Sequence, residues 1–149
     1  AIIDASPGTN WDVIGEIQRS ASVQCCRWSP EGRYLAVGGH DGMVAVVDIE
    51  SRSIRTEIVR GPSGEDEDDK SGARQYRVRS ICWSPEDGSF LAVGATDDKC
   101  ALYETKSFEL VQEMTRAGHV NCMDWCLSNT NSFLAMGGDD RTVAILKTG

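Results

Sequence analysis

Short apolar stretches alternate with polar turns along the whole chain, and three of its segments align with one another. The aligned segments are VQCCRWSPEGRYLAVGGHDGMVAVVD from Val23, VRSICWSPEDGSFLAVGATDDKCALYE from Val78 and VNCMDWCLSNTNSFLAMGGDDRTVAILK from Val120. Within each segment, β-branched and aromatic runs are separated by turn residues, which is typical of short β-strands. No stretch keeps a 3.6-residue apolar period, so the pattern predicts an all-β chain with little helix.

Each segment carries the same landmarks at the same spacing. A tryptophan follows the opening valine, and an apolar strand, a glycine and then an aspartate come after it. These tryptophans and aspartates are Trp28, Trp83 and Trp125, and Asp41, Asp97 and Asp140. Val78 and Val120 are 42 residues apart, which is the length of a four-stranded propeller blade. Val23 and Val78 are 55 residues apart, and the excess falls on residues 61–73. The repeat therefore predicts antiparallel four-stranded blades of a β-propeller.

The repeat divides the chain into successive blades, whose strands we letter a to d in chain order. We expect strands c and d of a preceding blade within residues 1–19, and full blades at 20–60 and 74–115. An acidic loop insertion separates these blades at 61–73, and a partial blade follows at 116–149. Propellers close with about four to eight blades. About three blades therefore form an incomplete ring.

Two sources could complete the ring. The favoured interpretation is a segment of a longer propeller, completed by further blades from the same parent chain. In the other, the N-terminal strand d of one copy completes the last blade of a second copy. Two copies then form a six-bladed ring with two-fold symmetry, which leaves no open sheet edge.

The Ser-Pro turn, the Leu-Ala-x-Gly strand and the aspartate turn together resemble the WD-repeat β-propellers over essentially the whole chain. The resemblance implies that Asp41, Asp97 and Asp140 are structural residues of the turn between strands b and c. The family's strand-c tryptophan is absent, since its position holds Val47, Tyr103 and Leu146. The signature Trp-Asp pair is therefore missing from every blade, and we expect apolar packing to contribute more.

The same resemblance implies that the d–a and b–c loops share one rim, which often binds a protein partner. The candidate partner-binding residues on this rim are His40, Thr96, Asp139, Tyr76, Arg77 and His119. The chain is accordingly interpreted as a non-catalytic protein–protein interaction scaffold.

Catalytic and metal-binding signatures are absent from the sequence. The six cysteines replace small or apolar residues of other repeats, which favours inert free thiols and a reducing cytoplasmic or nuclear location. Their spacing matches no structural zinc site. The two histidines lie in different blades without a nucleophile motif, and no helix follows the Gly-Gly pairs. We therefore expect no enzyme activity, no cofactor and no metal.

Charge narrows the choice of partner. The formal net charge is −8, which argues against broad binding to the phosphate backbone of nucleic acids. The acidic run at 65–69 is a candidate contact for a basic protein, with a solvated loop as the simpler interpretation. Arg74, Arg77 and Arg79 follow it, so nucleic-acid or phospho-ligand binding is the alternative function. No apolar run approaches the roughly 18 residues of a membrane span, so no membrane contact is expected.

Overall fold

A computed structural model describes residues 1–3, 6, 8, 13–60 and 76–148, which form strands and turns without a helix. The predicted insertion at 61–73 and Arg74 lie outside the described residues. The strands are β1 (Ile2–Ile3), β2 (Val13–Gly15), β3 (Val23–Trp28), β4 (Tyr34–Gly39), β5 (Met43–Asp48), β6 (Ser53–Val59), β7 (Val78–Trp83), β8 (Phe90–Ala95), β9 (Lys99–Glu104), β10 (Leu110–Thr115), β11 (Val120–Ser128), β12 (Asn131–Gly138) and β13 (Val143–Thr148).

The strands form separate antiparallel sheets in chain order. The first blade is β3-β4-β5-β6, the second is β7-β8-β9-β10, and the third contains β11-β12-β13. Strands β1 and β2 pair with each other in front of them. The described strands do not close into a ring. The prediction of an all-β chain with four-stranded antiparallel blades in an incomplete ring is thus confirmed.

The turn between strands a and b is built by a serine in the first two blades. The backbone N–H of Ser29 donates to the carbonyl of Tyr34 at 2.8 Å, and the N–H of Tyr34 donates back to the Ser29 hydroxyl at 2.9 Å. Ser84 makes the same two contacts with Phe90. The third blade lacks this serine, and β11 instead runs on to a tight hairpin in which Asn129 has a φ of 54°. Asparagine tolerates that left-handed conformation, which suits a two-residue hairpin turn.

The core lies between the blades rather than within any one of them. Ala36 and Val46 of the first blade are buried with Ile81 and Leu91 of the second. A second cluster joins the second and third blades through Ala92, Cys100, Met123, Trp125, Leu134 and Met136. Alternate residues of a strand point to opposite faces of its sheet. Each blade therefore contributes one apolar face to each neighbour.

Two strand-b glycines set how closely the blades approach. A Cβ atom at Gly38 would lie 2.5 Å from Cγ1 of Val78, and one at Gly94 would lie 2.6 Å from Cγ1 of Val120. In both cases the valine that opens the next blade occupies the space of the missing side chain. We call this contact the glycine notch.

Replacing Gly94 with alanine is expected to lower the free energy of unfolding by about 1–3 kcal/mol, because the added methyl overpacks the notch. Urea denaturation measures the loss. Gly137→Ala is the matched control, since its Cβ would meet only the Sγ of Cys122, at 2.9 Å. Adding Val120→Ala to Gly94→Ala should recover part of the stability. Equal stability of Gly94→Ala and the unmodified protein would contradict the notch.

Candidate interaction rim

Repeated backbone hydrogen bonds bring the b–c turns against the segments that enter strand a. The N–H of His40 donates to the Ser22 carbonyl at 2.9 Å, and the N–H of Thr96 donates to the Arg77 carbonyl at 3.0 Å. The N–H of Asp139 donates to the His119 carbonyl at 3.1 Å. The rim residues predicted from the sequence thus lie at corresponding places in three blades. In two of these blades, two predicted residues are bonded to each other, Thr96 to Arg77 and Asp139 to His119.

The aspartates of the b–c turns hold the backbone of these turns in one conformation. The Oδ1 atom of each accepts a hydrogen bond from the N–H two residues later, at 3.1 Å in Asp41, 3.1 Å in Asp97 and 3.0 Å in Asp140. This is the local bond that favours aspartate in turns.

The other carboxylate oxygen of each aspartate binds an arginine that follows the preceding strand d, directly after β6 and β10 and four residues after β2. Nη2 of Arg19 lies 3.1 Å from Asp41, and Nη2 of Arg116 lies 2.7 Å from Asp140. Nη2 of Arg60 pairs with Asp97 in the same way. Each contact ties one blade, or the strand pair before the first blade, to the next.

Two of the arginines also bind a glutamate in strand d of the next blade. Nη1 of Arg19 lies 2.5 Å from Glu57, and Nη1 of Arg60 lies 3.0 Å from Glu113. We call this arrangement of arginine, turn aspartate and strand-d glutamate the Arg–Asp–Glu clamp. The two arginine side chains are only 7% and 5% exposed. The turn aspartates are 5% and 11% exposed, so their charge-assisted bonds to arginine are shielded and stronger than exposed ion pairs. The glutamates are 40% and 32% exposed, so water weakens their bonds to the same arginines.

The second clamp shifts the pKa values of Glu113 and Arg60. Burial alone would raise the pKa of Glu113, but hydrogen bonds from Arg60 and Lys99 outweigh it and lower the pKa below its usual value. Burial would lower the pKa of Arg60, but the Tyr103 hydroxyl, Asp97 and Glu113 raise it overall. Both groups therefore stay charged at neutral pH.

The sequence analysis missed these arginines, although a signal was present. Residues 16–19, 57–60 and 113–116 read Glu-Ile-Gln-Arg, Glu-Ile-Val-Arg and Glu-Met-Thr-Arg. The repeat places a glutamate, and an arginine three residues after it, at the same two positions of each of these three segments. An alignment extended past strand c shows this pattern.

The rim side chains themselves differ from blade to blade. Nε2 of His40 lies 3.0 Å from Oε1 of Gln24, and the Thr96 hydroxyl accepts the N–H of Arg77 at 2.9 Å. The Asn121 amide donates to Asp139.

The His119 side chain and the Tyr76 backbone also lie on this rim. Nδ1 of His119 lies 2.8 Å from Asp98, and the His119 side chain is 40% exposed, so this histidine does not occupy a buried structural position. The Tyr76 carbonyl lies so close to Gly42 that a Cβ there would be 2.5 Å away. Tyr76 therefore packs directly on the first b–c turn.

The two described arginines of the basic stretch lie in different environments. Arg77 is exposed on the rim, whereas Arg79 lines a cavity of about 400 Å³ between the a strands of the three blades, which are β3, β7 and β11. Arg27 and Asn121 line the same cavity. The Nε of Arg79 is buried without a hydrogen-bond partner among the described residues.

A groove of about 410 Å³ lies between the first and second blades, at the ends of the strands that are opposite the rim. Tyr34, Trp83 and Phe108 line it. The Arg55 guanidinium lies 5.1 Å from the centre of the Tyr34 ring and 5.9 Å from that of Phe108, within cation–π range. Phe108 has a φ of 57°, a conformation that is rare for a bulky residue. Sequence reasoning did not find this groove.

The six cysteines are unpaired, but they do not share one environment. Cys82 and Cys100 are buried, whereas Cys26, Cys122 and Cys126 are exposed. Burial raises the pKa of Cys82 to about 11 and that of Cys100 to about 12, which keeps both as unreactive thiols at neutral pH. Within the described ranges, no three histidine, cysteine or acidic side chains are placed to hold a metal ion.

Comparison with known proteins identifies the family. The family model described as "Anaphase-promoting complex subunit 4 WD40 domain" matches residues 8–64 and 67–128. The chain belongs to this WD40 domain family. The resemblance inferred from the turns and strands is therefore confirmed, even though the Trp-Asp pairs are absent.

Relatives and solved structures agree with this assignment. The chain is 29% identical to Protein HIR1 of Yarrowia lipolytica, covering 86% of this chain and 12% of that protein. It is 28% identical to "Cell division cycle 20.1, cofactor of APC complex" of Arabidopsis thaliana, covering 95% of this chain and 28% of that protein. A chain in the crystal structure of a mitotic checkpoint complex has the same fold, with a TM-score of 0.67 and 20% identity, over 86% of this chain and 36% of that one.

These matches define the general class of the protein. WD40 repeat domains are in general non-catalytic scaffolds for protein interaction, and this chain has the fold and repeat of such a domain. It spans only a small part of the curated relatives that it matches. In the described part of the chain, no helix is long and apolar enough to cross a membrane.

Proposed function

We propose that this WD40 segment binds a protein partner through the rim formed by His40, Thr96, Asp139, Tyr76, Arg77 and His119. The observation that carries the proposal is the arrangement of these residues at equivalent places in three blades. The Arg–Asp–Glu clamps lie beneath this rim. A contact surface held in one conformation loses less entropy on binding than a mobile one.

The partner is expected to present a basic segment. The net charge of −8 and the acidic run at residues 65–69, next to the rim in sequence, would attract such a segment. The names of one relative and of the matching family point to multisubunit assemblies, since the relative is a cofactor of the APC complex and the family is named after a subunit of the anaphase-promoting complex. We infer a cytoplasmic or nuclear location, which the unpaired cysteines support.

Alanine substitution of the rim tests this function. We expect the triple variant Tyr76→Ala/Arg77→Ala/His119→Ala to lose at least about tenfold in affinity for proteins captured from cell extract, because tyrosine and arginine often dominate interfaces. The control Arg33→Ala/Lys106→Ala changes two exposed side chains at the opposite ends of the strands. Quantitative mass spectrometry of captured proteins, followed by calorimetry with each purified candidate, gives the readout.

The two sets of variants separate the outcomes. Partners lost equally from both variants, or from neither, would contradict rim binding. The alternative function is phospho-ligand or nucleic-acid binding, which the buried, unbonded Nε of Arg79 supports. Binding of a phosphopeptide or RNA that weakens with salt and is lost in Arg79→Ala would favour it.

A further inference from the structure

The groove at the strand ends opposite the rim lies between two blades whose four strands are all present. Its walls come from the a–b loop of each blade, from β6 of the first blade and from the c–d turn of the second. The groove is therefore a product of how two complete neighbouring blades pack on each other.

Four aromatic side chains line this groove. Trp83 is buried, and Tyr34, Phe90 and Phe108 are half-buried. The volume of about 410 Å³ lies within the range of ligand pockets, which combine apolar walls with a few polar groups. The groove therefore has room for a large apolar side chain from a binding partner.

A β-bulge directs Arg55 toward these rings. The register of β6 shifts between Val46 and Val47 of β5, which leaves Arg55 as the extra, unpaired residue of β6. Such a bulge re-aims the side chain of its extra residue. The register of β10 shifts at the same place and leaves Val111 as the extra residue, which is 56% exposed. Of the two complete blades, only the first therefore places a cation at this position.

Contacts hold the Arg55 guanidinium in place, but its charge is not neutralised. Its Nη1 donates to the Tyr34 hydroxyl, and the rings of Tyr34 and Phe108 both lie within cation–π range. Arg55 forms no ion pair with a described carboxylate. A guanidinium that is already ordered binds a carboxylate with little further loss of side-chain entropy.

Phe108 closes the groove from the c–d turn of the second blade. Its N–H donates to the Glu104 carbonyl at 2.7 Å, and its φ is 57°. Arg52, at the same place in the turn of the first blade, has a φ of 54°. The left-handed conformation is thus part of the repeat, but a bulky ring has no preference for it. The ring of Phe108 therefore contributes to the groove rather than to the turn.

The other charged groups of the groove differ in how they are held. Both carboxylate oxygens of Asp87 accept hydrogen bonds from Ser89. These bonds, together with the charge of Lys106, hold the pKa of Asp87 below its usual value. Glu104 accepts a serine hydroxyl at 3.0 Å. Glu31 is exposed and accepts no hydrogen bond from another described residue. Arg55 is therefore the cation that contacts fix, and Glu31 is the carboxylate that no donor holds.

We propose that this groove binds a segment of a protein partner in which an aspartate or glutamate lies beside a large apolar residue. The acidic side chain pairs with Arg55, and the apolar side chain packs on Trp83 and Phe108. A basic segment fits less well, because its cation would meet the fixed guanidinium of Arg55, whereas the Glu31 side chain must lose its own freedom to pair with it. The groove lies opposite the rim, so this contact is independent of the proposed rim binding.

Selection from a random library of short peptides displayed on phage, with the 149-residue chain as the target, tests the proposal. We expect the enriched peptides to carry aspartate or glutamate beside phenylalanine, tryptophan or leucine. Each enriched peptide is then synthesised with a fluorescent label. Fluorescence polarisation measures its affinity for the unmodified protein and for each variant.

Two substitutions with opposite expected effects identify the charge of the bound segment. Arg55→Gln should weaken binding at least about tenfold, because a charge-assisted hydrogen bond is lost. Glu31→Gln should strengthen binding about twofold to fivefold, because it removes a like charge. Phe108→Gly removes the ring at a φ that glycine adopts freely, and should also weaken binding about tenfold. Arg52→Gln removes an exposed cation that does not line the groove, so this control should leave the affinity unchanged.

The signs of these effects decide the outcome once circular dichroism has shown that each variant is folded. Enrichment of basic peptides that bind Arg55→Gln more tightly and Glu31→Gln more weakly would overturn the proposal. It is also overturned if no peptide is enriched, or if no enriched acidic peptide loses affinity for Arg55→Gln. In the last case the peptides bind another surface of the protein, and the rim variants show whether that surface is the rim.

Discussion

Trp83→Ala is expected to lower the free energy of unfolding by about 3–5 kcal/mol, among the largest effects of any single substitution in this chain. The Trp83 side chain is 7% exposed and lies in the core cluster between the first and second blades. Its Nε1 also donates to the Arg27 carbonyl at 3.0 Å, so the truncation removes a hydrogen bond between blades together with the packing. Equilibrium urea denaturation followed by circular dichroism measures the change.

Trp28→Ala is the matched control, because it makes the same chemical change at the same position of the repeat. The Trp28 side chain is 49% exposed. Its removal from single chains at low protein concentration should cost about 1 kcal/mol or less. Similar losses in the two variants would show that the face of the second blade is no better packed than the open face of the first.

The strands and turns of this fold were predictable because their determinants are local. Serine followed by proline ends β3 and β7, and a turn aspartate precedes β5, β9 and β13. The sequence repeat also predicted the packing of the blades on one another, because one blade buries its apolar face only against the next. The left-handed Phe108 and the groove beneath it were not predictable. Phenylalanine is not a turn residue, and its ring is placed there by contacts with the preceding blade.

The sequence predicted where the candidate site lies, but not the side-chain contacts that hold it in place. All six predicted rim residues lie in loops, as the alignment indicated, while their role in binding stays a prediction. The Arg60 contacts join residues 37 and 53 positions apart in the chain. Only the repeated Glu-x-x-Arg pattern indicates them, and Glu57 and Glu113 bond the arginine of the previous repeat rather than their own.

Arg60→Ala is expected to destabilise the fold by about 3–5 kcal/mol, because it leaves the shielded carboxylate of Asp97 without its cation. The Arg60 side chain is 5% exposed and binds Asp97, Glu113 and the Tyr103 hydroxyl. The Asp97 side chain, at 11% exposure, would keep a charge that water barely reaches. Urea denaturation at neutral pH and low salt gives the comparison.

Arg33→Ala provides the control for this substitution. Its guanidinium also pairs with an aspartate, Asp48 at 3.1 Å, but the Arg33 side chain is 55% exposed. Water screens such a pair, so its loss should cost about 1 kcal/mol or less. Arg60→Met separates charge from packing, because methionine keeps most of the aliphatic volume. If Arg60→Met were as stable as the unmodified protein, packing of the arginine stem would be what holds the second blade against the first. A large loss in both Arg60 variants means instead that the clamp itself joins the blades.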